Sequence, residues 1–129
     1  MLRINDVYQY QDLSIRILKI LSEHIVWIDI NNVKALPEII RKTELFHAIE
    51  SFEAFRIEDP YQDIAFIQPE KDSISQLKRD KNYNLIKYIV DNEQSYIPSS
   101  RSSQIKEIIN SKKSTKQTIY RLLRQYWQR

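Results

Sequence analysis

Residues 114–129, STKQTIYRLLRQYWQR, predict an amphipathic helix. Their apolar side chains recur with the i, i+3, i+4, i+7 spacing of one helical face: Ile119, Leu122, Leu123 and Tyr126. Ser114 or Thr115 can cap this helix, because a hydroxyl oxygen accepts a hydrogen bond from a free N–H of the first turn. The pattern indicates a helix that packs on a core with one side and faces solvent with the other.

The solvent-facing side of this helix carries side-chain types that contact nucleic acids. At about 100° per residue, the positions opposite the apolar stripe are Gln117, Arg121, Arg124 and Gln128. Arginine pairs with guanine, and glutamine with adenine, in the major groove. The first turn adds four polar side chains that can contact phosphates or bases: Ser114, Thr115, Lys116 and Thr118.

Two more helices are predicted upstream, because the apolar period is helical from residue 75 onward. The apolar stripe of the first consists of Tyr83, Ile86, Ile89 and Val90. The second can be capped by Ser99 or Ser100, and its apolar side consists of Ile105, Ile108 and Ile109. A short polar break, residues 111–114, leads to the last helix, and this arrangement is a helix-turn-helix. Lys112 and Lys113 in the turn would add phosphate contacts.

The N-terminal part has the pattern of a small β-rich unit. The segments INDVYQY, SIRILKIL and HIVWIDI alternate in places between apolar and polar residues, and AFRI is suited to a closing strand. A change of period behind Pro37 predicts a helix over residues 37–50. The expected fold class is α+β. A barrel-like unit with one helix would occupy residues 1–58, a connector residues 59–74, and a three-helix helix-turn-helix module residues 75–129.

The composition excludes several kinds of site. The 129 residues include no Gly, no Cys and only two His, His24 and His47. Glycine loops that cradle nucleotide phosphates, disulfides and thiolate metal sites are therefore excluded within this sequence. Positive φ angles have to be adopted by Asn or Asp, for example by Asn31, Asn32, Asn82 or Asn92. Asp6 interrupts the N-terminus where a signal peptide would be apolar, and no apolar run is long enough to span a membrane.

The charge is divided unevenly along the chain. Residues 1–74 hold 8 Lys and Arg against 13 Asp and Glu, whereas residues 99–129 hold 8 against a single acid, Glu107. A basic module of this kind favours a polyanionic partner, most simply a nucleic acid. A solvated basic helical face and a three-helix protein-interaction module are the alternatives.

The segment KSTKQTIYRLLRQYWQR resembles the helix-turn-helix of TnsB-type transposases, which belong to the Mu-transposase-like, DDE superfamily. The segments INDVYQY, IRILKI, IVWIDI and DPY, in that order, are similar to the N-terminal region of the same family. The resemblance implies sequence-specific binding to the repeats at transposon ends by the N-terminal region of a longer transposase. In that family a second DNA-binding module and a DDE catalytic domain follow. Trp127, off the predicted stripe, is expected to be exposed here and to meet a downstream segment.

The resemblance also implies the DNA-contacting positions and the partners. The predicted DNA-binding residues are Lys112, Lys113, Ser114, Thr115, Lys116, Gln117, Thr118, Tyr120, Arg121 and Arg124. The expected partner is double-stranded DNA in the bacterial cytoplasm, with other transposition subunits as further partners. No membrane, small-molecule substrate, cofactor or metal is expected.

The chain itself is not expected to be an enzyme. A DDE site gathers three carboxylates around two metal ions, and the sequence lacks the alternating β/α pattern that would bring together Asp29, Asp59, Asp63 and Asp72. The β unit is expected to act as a scaffold or protein contact, or less favourably to touch the DNA backbone through Arg3, Arg16 and Lys19. A protein-interaction module and a helix-turn-helix transcription regulator remain the functional alternatives.

Overall fold

A computed structural model of the chain describes residues 2–61, 74–112 and 114–129, except for the side chains of Ser75 and Lys112. The chain divides into two compact units, one formed by Met1–Ala65 with Trp127–Arg129 and the other by Phe66–Tyr126. Most of the predicted connector, including Asp63 and Asp72, and Lys113 of the predicted turn lie outside the described residues.

The first unit is built on a five-stranded antiparallel sheet. Its strands are β1 (Val7–Tyr10), β2 (Leu13–Ile20), β3 (His24–Asp29), β4 (Glu38–Arg41) and β5 (Ala54–Ile57). Their order across the sheet is β4-β3-β2-β1-β5. Among the described strands β4 and β5 form the two edges, so the sheet is open where the sequence predicted a barrel-like closure. The predicted α+β class is confirmed.

The core of the first unit lies between one face of the sheet and helix α1 (Lys42–Glu50). Ile15, Ile17 and Ile25 of the sheet pack in one buried cluster with Leu45 and Ala48 of the helix. Side chains alternate across a strand, so residues two apart on β2 share this face. Burial of these branched side chains stabilises the unit by roughly 1.5–3 kcal/mol each.

The helix predicted over residues 37–50 is too long at its N-terminus. Residues 38–41 form β4, which pairs with β3 from Trp27↔Glu38 to His24↔Arg41, and the helix begins only at Lys42. The branched residues Ile39 and Ile40 suit a strand, and pairing with β3 satisfies their backbone groups. Tertiary pairing thus overrides the local helical spacing.

The positions of positive φ differ from the prediction. Among the described residues, positive φ angles occur at Asn5 (φ 74°), Gln11 (φ 55°) and Phe52 (φ 63°). Asn5 follows the expected preference, but Gln11 and Phe52 occupy turns set by the surrounding elements. Phe52 directly follows the C-cap Ser51 of α1, a position that glycine usually fills. With no glycine in the chain, other residue types occupy these turns.

The part of the second unit that the structure describes contains three α-helices and one 3₁₀ helix. They are α2 (Ile74–Val90), the 3₁₀ helix η1 (Glu93–Tyr96), α3 (Pro98–Lys112) and α4 (Lys116–Gln128), whose last two residues are grouped with the first unit. The buried apolar residues of the second unit are Ile86, Ile89, Ile105, Ile108, Ile119, Leu122 and Leu123. Three helices were predicted from the apolar spacing, whereas η1 was not. None of the described helices is both long enough and apolar enough to span a membrane.

Two predicted helix boundaries in this unit are wrong. Helix α3 begins at Pro98, before the predicted caps Ser99 and Ser100, because proline lacks an N–H and its fixed φ suits the first helical position. The same helix extends to Lys112, so residues 111 and 112 of the predicted polar break are helical. Both boundaries differ by only a few residues from the prediction, which is the usual uncertainty at helix ends.

Candidate nucleic-acid interface

Thr115 caps helix α4. Its Oγ1 accepts a hydrogen bond from the backbone N–H of Thr118 at 3.2 Å, and its hydroxyl donates to Thr118 Oγ1 at 2.9 Å. The backbone carbonyl of Thr115 also accepts from the Ile119 N–H at 3.1 Å. Of the two predicted caps, Thr115 takes this position, while Ser114 lies half-buried just before it. The cap fixes where the helix begins, and with it the direction of the first-turn side chains.

One side of α4 is held in the core of the second unit. Ile119, Leu122 and Leu123 are almost completely buried, as the apolar spacing predicted. Tyr126 lies at the edge of this side: its side chain is 48% exposed, and its ring centroid is 6.0 Å from that of Tyr83 on α2. Burial, with Tyr83 and Asp91 nearby, raises the pKa of the Tyr126 phenol. The buried side leaves the opposite side of the helix free to bind a partner.

The exposed side of α4 is polar and cationic. Lys116, Gln117 and Arg121 are exposed, and Gln125, which the helical wheel did not single out, is exposed on the same side. Gln117, Arg121 and Gln125 are four residues apart, so they form one row along the helix. Arginine and glutamine side chains in such a row are the types that bind base edges.

A second row of side chains lies beside the first. Lys116 Nζ lies 5.9 Å from the centroid of the Tyr120 ring, and Arg124 Cζ lies 5.3 Å from the same centroid. These three residues are also four apart, and both distances are within the range of cation–π attraction. Tyr120 and Arg124 are both half-buried. The aromatic ring therefore holds two cations beside the exposed row.

Some predicted DNA-binding residues cannot be placed. Lys113 lies outside the described residues, and for Lys112 only the backbone, at the end of α3, is described. The eight others are all in or next to α4: Ser114, Thr115, Lys116, Gln117, Thr118, Tyr120, Arg121 and Arg124. The structure thus brings these eight together on one helix and its N-terminus.

Two expectations for the end of α4 are wrong. Trp127 is only 2% exposed, whereas the wheel predicted it to be unburied. Gln128 was placed on the solvent-facing side, but its Nε2 donates to the backbone carbonyls of Asp29 at 2.8 Å and Asn32 at 2.6 Å. Trp127–Arg129 belong to the first unit. A helical wheel assumes that one side of the helix is buried in one core. It does not describe Trp127 and Gln128, which are grouped with the first unit although the rest of the helix belongs to the second.

A residue that the sequence analysis missed lies behind the interface. Arg101 of α3 is 4% exposed, and its Nη1 donates to the Ser95 carbonyl at 3.2 Å. Burial lowers the pKa of the Arg101 guanidinium, and the nearby Tyr120 side chain opposes this lowering. The signal was present in the sequence, because Arg101 precedes Ile105 and Ile108 by four and seven residues and so falls on the apolar side of its helix.

The carboxylates considered for catalysis have other partners where they are described. Asp29 Oδ1 accepts from the Asn31 N–H at 2.9 Å, and Asp59 forms a two-pronged ion pair with Arg16, with both N–O distances 2.8 Å. Burial raises the pKa of Asp59, but the hydrogen bonds from Arg16 and the Tyr61 N–H outweigh it and lower the pKa overall. Within residues 2–61, 74–112 and 114–129, no three His, Cys, Asp or Glu residues lie together as metal ligands would.

The ion pair with Asp59 also bears on the prediction that Arg16 contacts the DNA backbone. Arg16 is 3% exposed, and it donates to the carbonyls of Asn5 at 3.1 Å and Gln128 at 3.3 Å as well as to Asp59. These three hydrogen-bond partners all belong to the first unit. Its guanidinium is thus committed to holding loops of that unit, so the predicted use of Arg16 as a DNA-backbone contact is wrong.

Comparisons with known proteins match this arrangement along the chain. The family model described as the TnsB N-terminal SH3-like domain matches residues 1–60, and that of the TnsB second domain matches residues 79–129. The chain belongs to the TnsB family. The transposon Tn7 transposition protein TnsB of Escherichia coli is 33% identical over all 129 residues, and the chain spans 18% of the length of that relative. The predicted resemblance to TnsB is confirmed, and the open sheet with its helix corresponds to the SH3-like domain.

Proposed function

We propose that this TnsB-family chain binds double-stranded DNA in sequence-specific fashion at repeats at the ends of a transposon, as the N-terminal part of a DDE transposase. The single observation that carries the proposal is the exposed row of Gln117, Arg121 and Gln125 on a helix whose other side is buried. In helix-turn-helix proteins the second helix of the pair enters the major groove. Helix α4 is that helix here.

Electrostatics and family membership support the same role. Residues 99–129 carry 8 Lys and Arg and the single acid Glu107, so the unit that contains α4 attracts a polyanion. The Escherichia coli relative is a transposition protein of transposon Tn7. The first unit lies mostly within the acidic segment 1–74, which carries 13 Asp and Glu against 8 Lys and Arg, and it is the poorer surface for DNA. We assign to it a scaffold role or a contact with other transposition subunits.

Fluorescence anisotropy tests the proposal. The 129-residue chain is titrated onto a labelled duplex with the terminal sequence of the transposon that encodes it, and onto a shuffled duplex of equal length, at two salt concentrations. We expect tighter binding to the terminal duplex and weaker binding of both at higher salt, because phosphate contacts release counterions.

Other outcomes would identify a different function. Salt-sensitive binding to both duplexes alike would place sequence recognition outside this chain. No binding to either would favour a protein-interaction module. Preference for a palindromic operator, bound as a dimer, would identify a transcription regulator.

A further inference from the structure

A groove between α2 and α4 lies next to the proposed base-contacting row. It has a volume of about 730 Å³, and the residues that line it include Lys78, Arg79 and Tyr83 of α2 and Gln125 and Tyr126 of α4. All five belong to the second unit. Gln125 is also a member of the exposed row of α4, so the groove and the row are continuous.

Two cations line the α2 wall of this groove. Lys78 and Arg79 are both exposed. They lie on the same side of α2 as Tyr83, which is five residues from one and four from the other. Asp80 also lines the groove and offsets one of the two positive charges. Among the described residues that line the groove, the balance is therefore positive and favours an anionic ligand.

Two tyrosines connect the α2 wall to the α4 wall. The ring centroids of Tyr83 and Tyr126 are 6.0 Å apart, with 34° between the ring planes. Their side chains remain 37% and 48% exposed. A tyrosine hydroxyl can donate a hydrogen bond to a phosphate oxygen. The groove thus combines cations with hydroxyl donors, and both contact DNA phosphates in complexes of proteins with DNA.

The position of the groove beside α4 points to a DNA backbone as the ligand. A helix with its side chains is about 10–12 Å across and the major groove is about 12 Å wide, so a helix in that groove has a sugar–phosphate backbone on each flank. At about 100° per residue, Lys116 and Arg124 lie on one flank of the exposed row, and Leu122 and Tyr126 lie on the other.

The flank of Leu122 and Tyr126 has no cation from α4 itself. Over the whole of α4, which the structure describes, the cations are Lys116 and Arg124 on the first flank and Arg121 in the exposed row. Leu122 is buried. The positive charge on the second flank therefore comes from α2, across the groove.

We propose that the groove between α2 and α4 is a phosphate-binding subsite for the DNA backbone on the second flank of α4. The proposal rests on the proposed function of the chain as a DNA-binding module. Lys78 and Arg79 bind the phosphates through their charge, and the hydroxyls of Tyr83 and Tyr126 donate to phosphate oxygens. The cations on the first flank contact the other backbone. Helix α4 is thus held from both sides, which fixes the exposed row over the bases.

A matched pair of charge variants in α2 tests the subsite. Lys78→Ala removes a cation of the groove, whereas Lys81→Ala removes an exposed cation from the other side of the same helix. In anisotropy titrations at about 0.1 M salt, Lys78→Ala is expected to weaken binding about five- to tenfold on the terminal and the shuffled duplex alike, because one phosphate contact is lost. The slope of log affinity against log salt should fall by about one.

The controls separate a lost contact from a lost fold. Lys78→Arg keeps the charge and is expected to retain binding, and a thermal melt shows that each variant is folded. Lys81→Ala is expected to change affinity and salt slope much less than Lys78→Ala. Equal effects of Lys78→Ala and Lys81→Ala would overturn the subsite.

A carboxylate in the same groove provides a test of opposite sign. Asp80→Asn removes an anion from beside the bound phosphates, so we expect about two- to fivefold tighter binding to both duplexes. Glu107→Gln removes an exposed acid of α3 outside the groove and serves as the control. An Asp80→Asn variant that binds no more tightly than Glu107→Gln would contradict the subsite.

Ethylation interference locates the contacts on the DNA, because ethylation neutralises one phosphate at a time. With the unmodified chain, ethylation is expected to interfere on both backbones that border α4. Lys78→Ala should lose interference on one backbone, and Lys116→Ala should lose it on the other. Loss at the same phosphates in both variants would place both cations on one backbone and overturn the assignment.

The two proposals fail in different ways. Duplex binding by folded Lys78→Ala with unmodified affinity and salt slope would overturn the subsite and leave the proposed function intact. No binding of either duplex by the unmodified chain would overturn the proposed function and the subsite with it.

Discussion

Phe52 has a backbone conformation that glycine adopts at far lower cost. Its φ of 63° lies in the left-handed region, where a Cβ meets the following carbonyl oxygen. The backbone N–H of Phe52 donates to the Ile49 carbonyl at 3.2 Å, and Glu53 N–H donates to the Ala48 carbonyl at 2.9 Å, so the end of α1 holds the residue there. Phe52 is 86% exposed, so burial of its side chain contributes little free energy to offset this strain.

We therefore predict that Phe52→Gly raises the free energy of unfolding by about 1 kcal/mol, as relief of the left-handed strain exceeds the extra backbone entropy of glycine. Urea denaturation followed by circular dichroism measures the change. Phe55→Gly is the control: Phe55 is half-exposed in β5 and extended, so glycine there should destabilise the sheet. A Phe52→Gly variant less stable than the unmodified chain would show that Phe52 makes a contact worth more than the strain.

Asp59 is the partner that makes the burial of Arg16 possible. The pair has two N–O distances of 2.8 Å, and Arg16 is 3% exposed. Asp59→Asn is expected to cost about 3 kcal/mol of stability at neutral pH, because it leaves a buried guanidinium without a counter-charge. Chemical denaturation at several pH values measures this, with Asp12→Asn, an exposed carboxylate, as the control.

The pH dependence follows from the lowered pKa of Asp59. A carboxyl whose pKa is lower folded than unfolded adds stability above its unfolded pKa of about 3.9 and loses it as pH falls through the folded value. The difference between the unmodified chain and Asp59→Asn should therefore be full at neutral pH and shrink below about pH 4. A difference that stays constant down to acid pH would contradict the ion-pair explanation.

At the scale of the element, α4 depends on its first turn and on its buried side. Thr115→Ala removes the acceptor for the Thr118 N–H and is expected to cost about 1 kcal/mol of stability. Ser114→Ala is the matched control, as its hydroxyl does not cap the helix. The two variants are compared by thermal unfolding. A loss for Ser114→Ala as large as that for Thr115→Ala would assign the cap to the wrong residue.

Leu123 contributes to the same helix through packing. It is completely buried, and Leu123→Ala is expected to destabilise the second unit by about 2–5 kcal/mol through lost burial and a residual cavity. The helical circular dichroism signal during urea denaturation measures the loss. Gln125→Ala, on the exposed side of the helix, should change stability by less than about 0.5 kcal/mol. Similar values for both variants would contradict the assignment of the buried side.

The elements also show how far local patterns predict structure. The predicted strand AFRI coincides with β5, and the buried stripe of α4 was predicted through Leu123, because both patterns repeat over a few residues. Residues 38–41 were predicted as helix and form β4, since β3 supplies pairing partners from another part of the chain. The row of Gln117 and Arg121 followed from the helical period, but its third member Gln125 did not.

At the scale of the whole molecule, the charge is separated between the two ends of the chain. Residues 1–74 have 13 acids and residues 99–129 have one. DNA recognition by such a molecule should combine a salt-dependent attraction, common to all sequences, with base contacts that distinguish between them. Substitution of single residues of α4 can separate the salt-dependent attraction from the base contacts.

Arg121→Ala is expected to cost about 1–3 kcal/mol of binding free energy on the preferred duplex and little on a shuffled one. The physical reason is that a base contact is made only with the right sequence, whereas a phosphate contact is made with any. Anisotropy titrations of both duplexes measure the two values. Lys106→Ala removes the same charge from an exposed position on α3 and serves as the control. Equal losses on both duplexes would make Arg121 a phosphate contact.

The sequence by itself determined the α+β class, the three described α-helices of the second unit, the TnsB relationship and the cationic character of the C-terminal part of the chain. Periodicity, capping and composition carry this information because each acts within one or two helical turns or is independent of the fold. The predicted DNA-binding residues around α4 followed from the same local patterns and from the family resemblance.

Only the tertiary structure decided which charged and aromatic side chains are buried and which groups contact them. Arg16 meets a carboxylate 43 residues away in the sequence. Trp127 is buried although the helical wheel predicted exposure. The physical reason is the same in each case: desolvation of a side chain is compensated by groups distant in the sequence, and no local pattern specifies which groups those are.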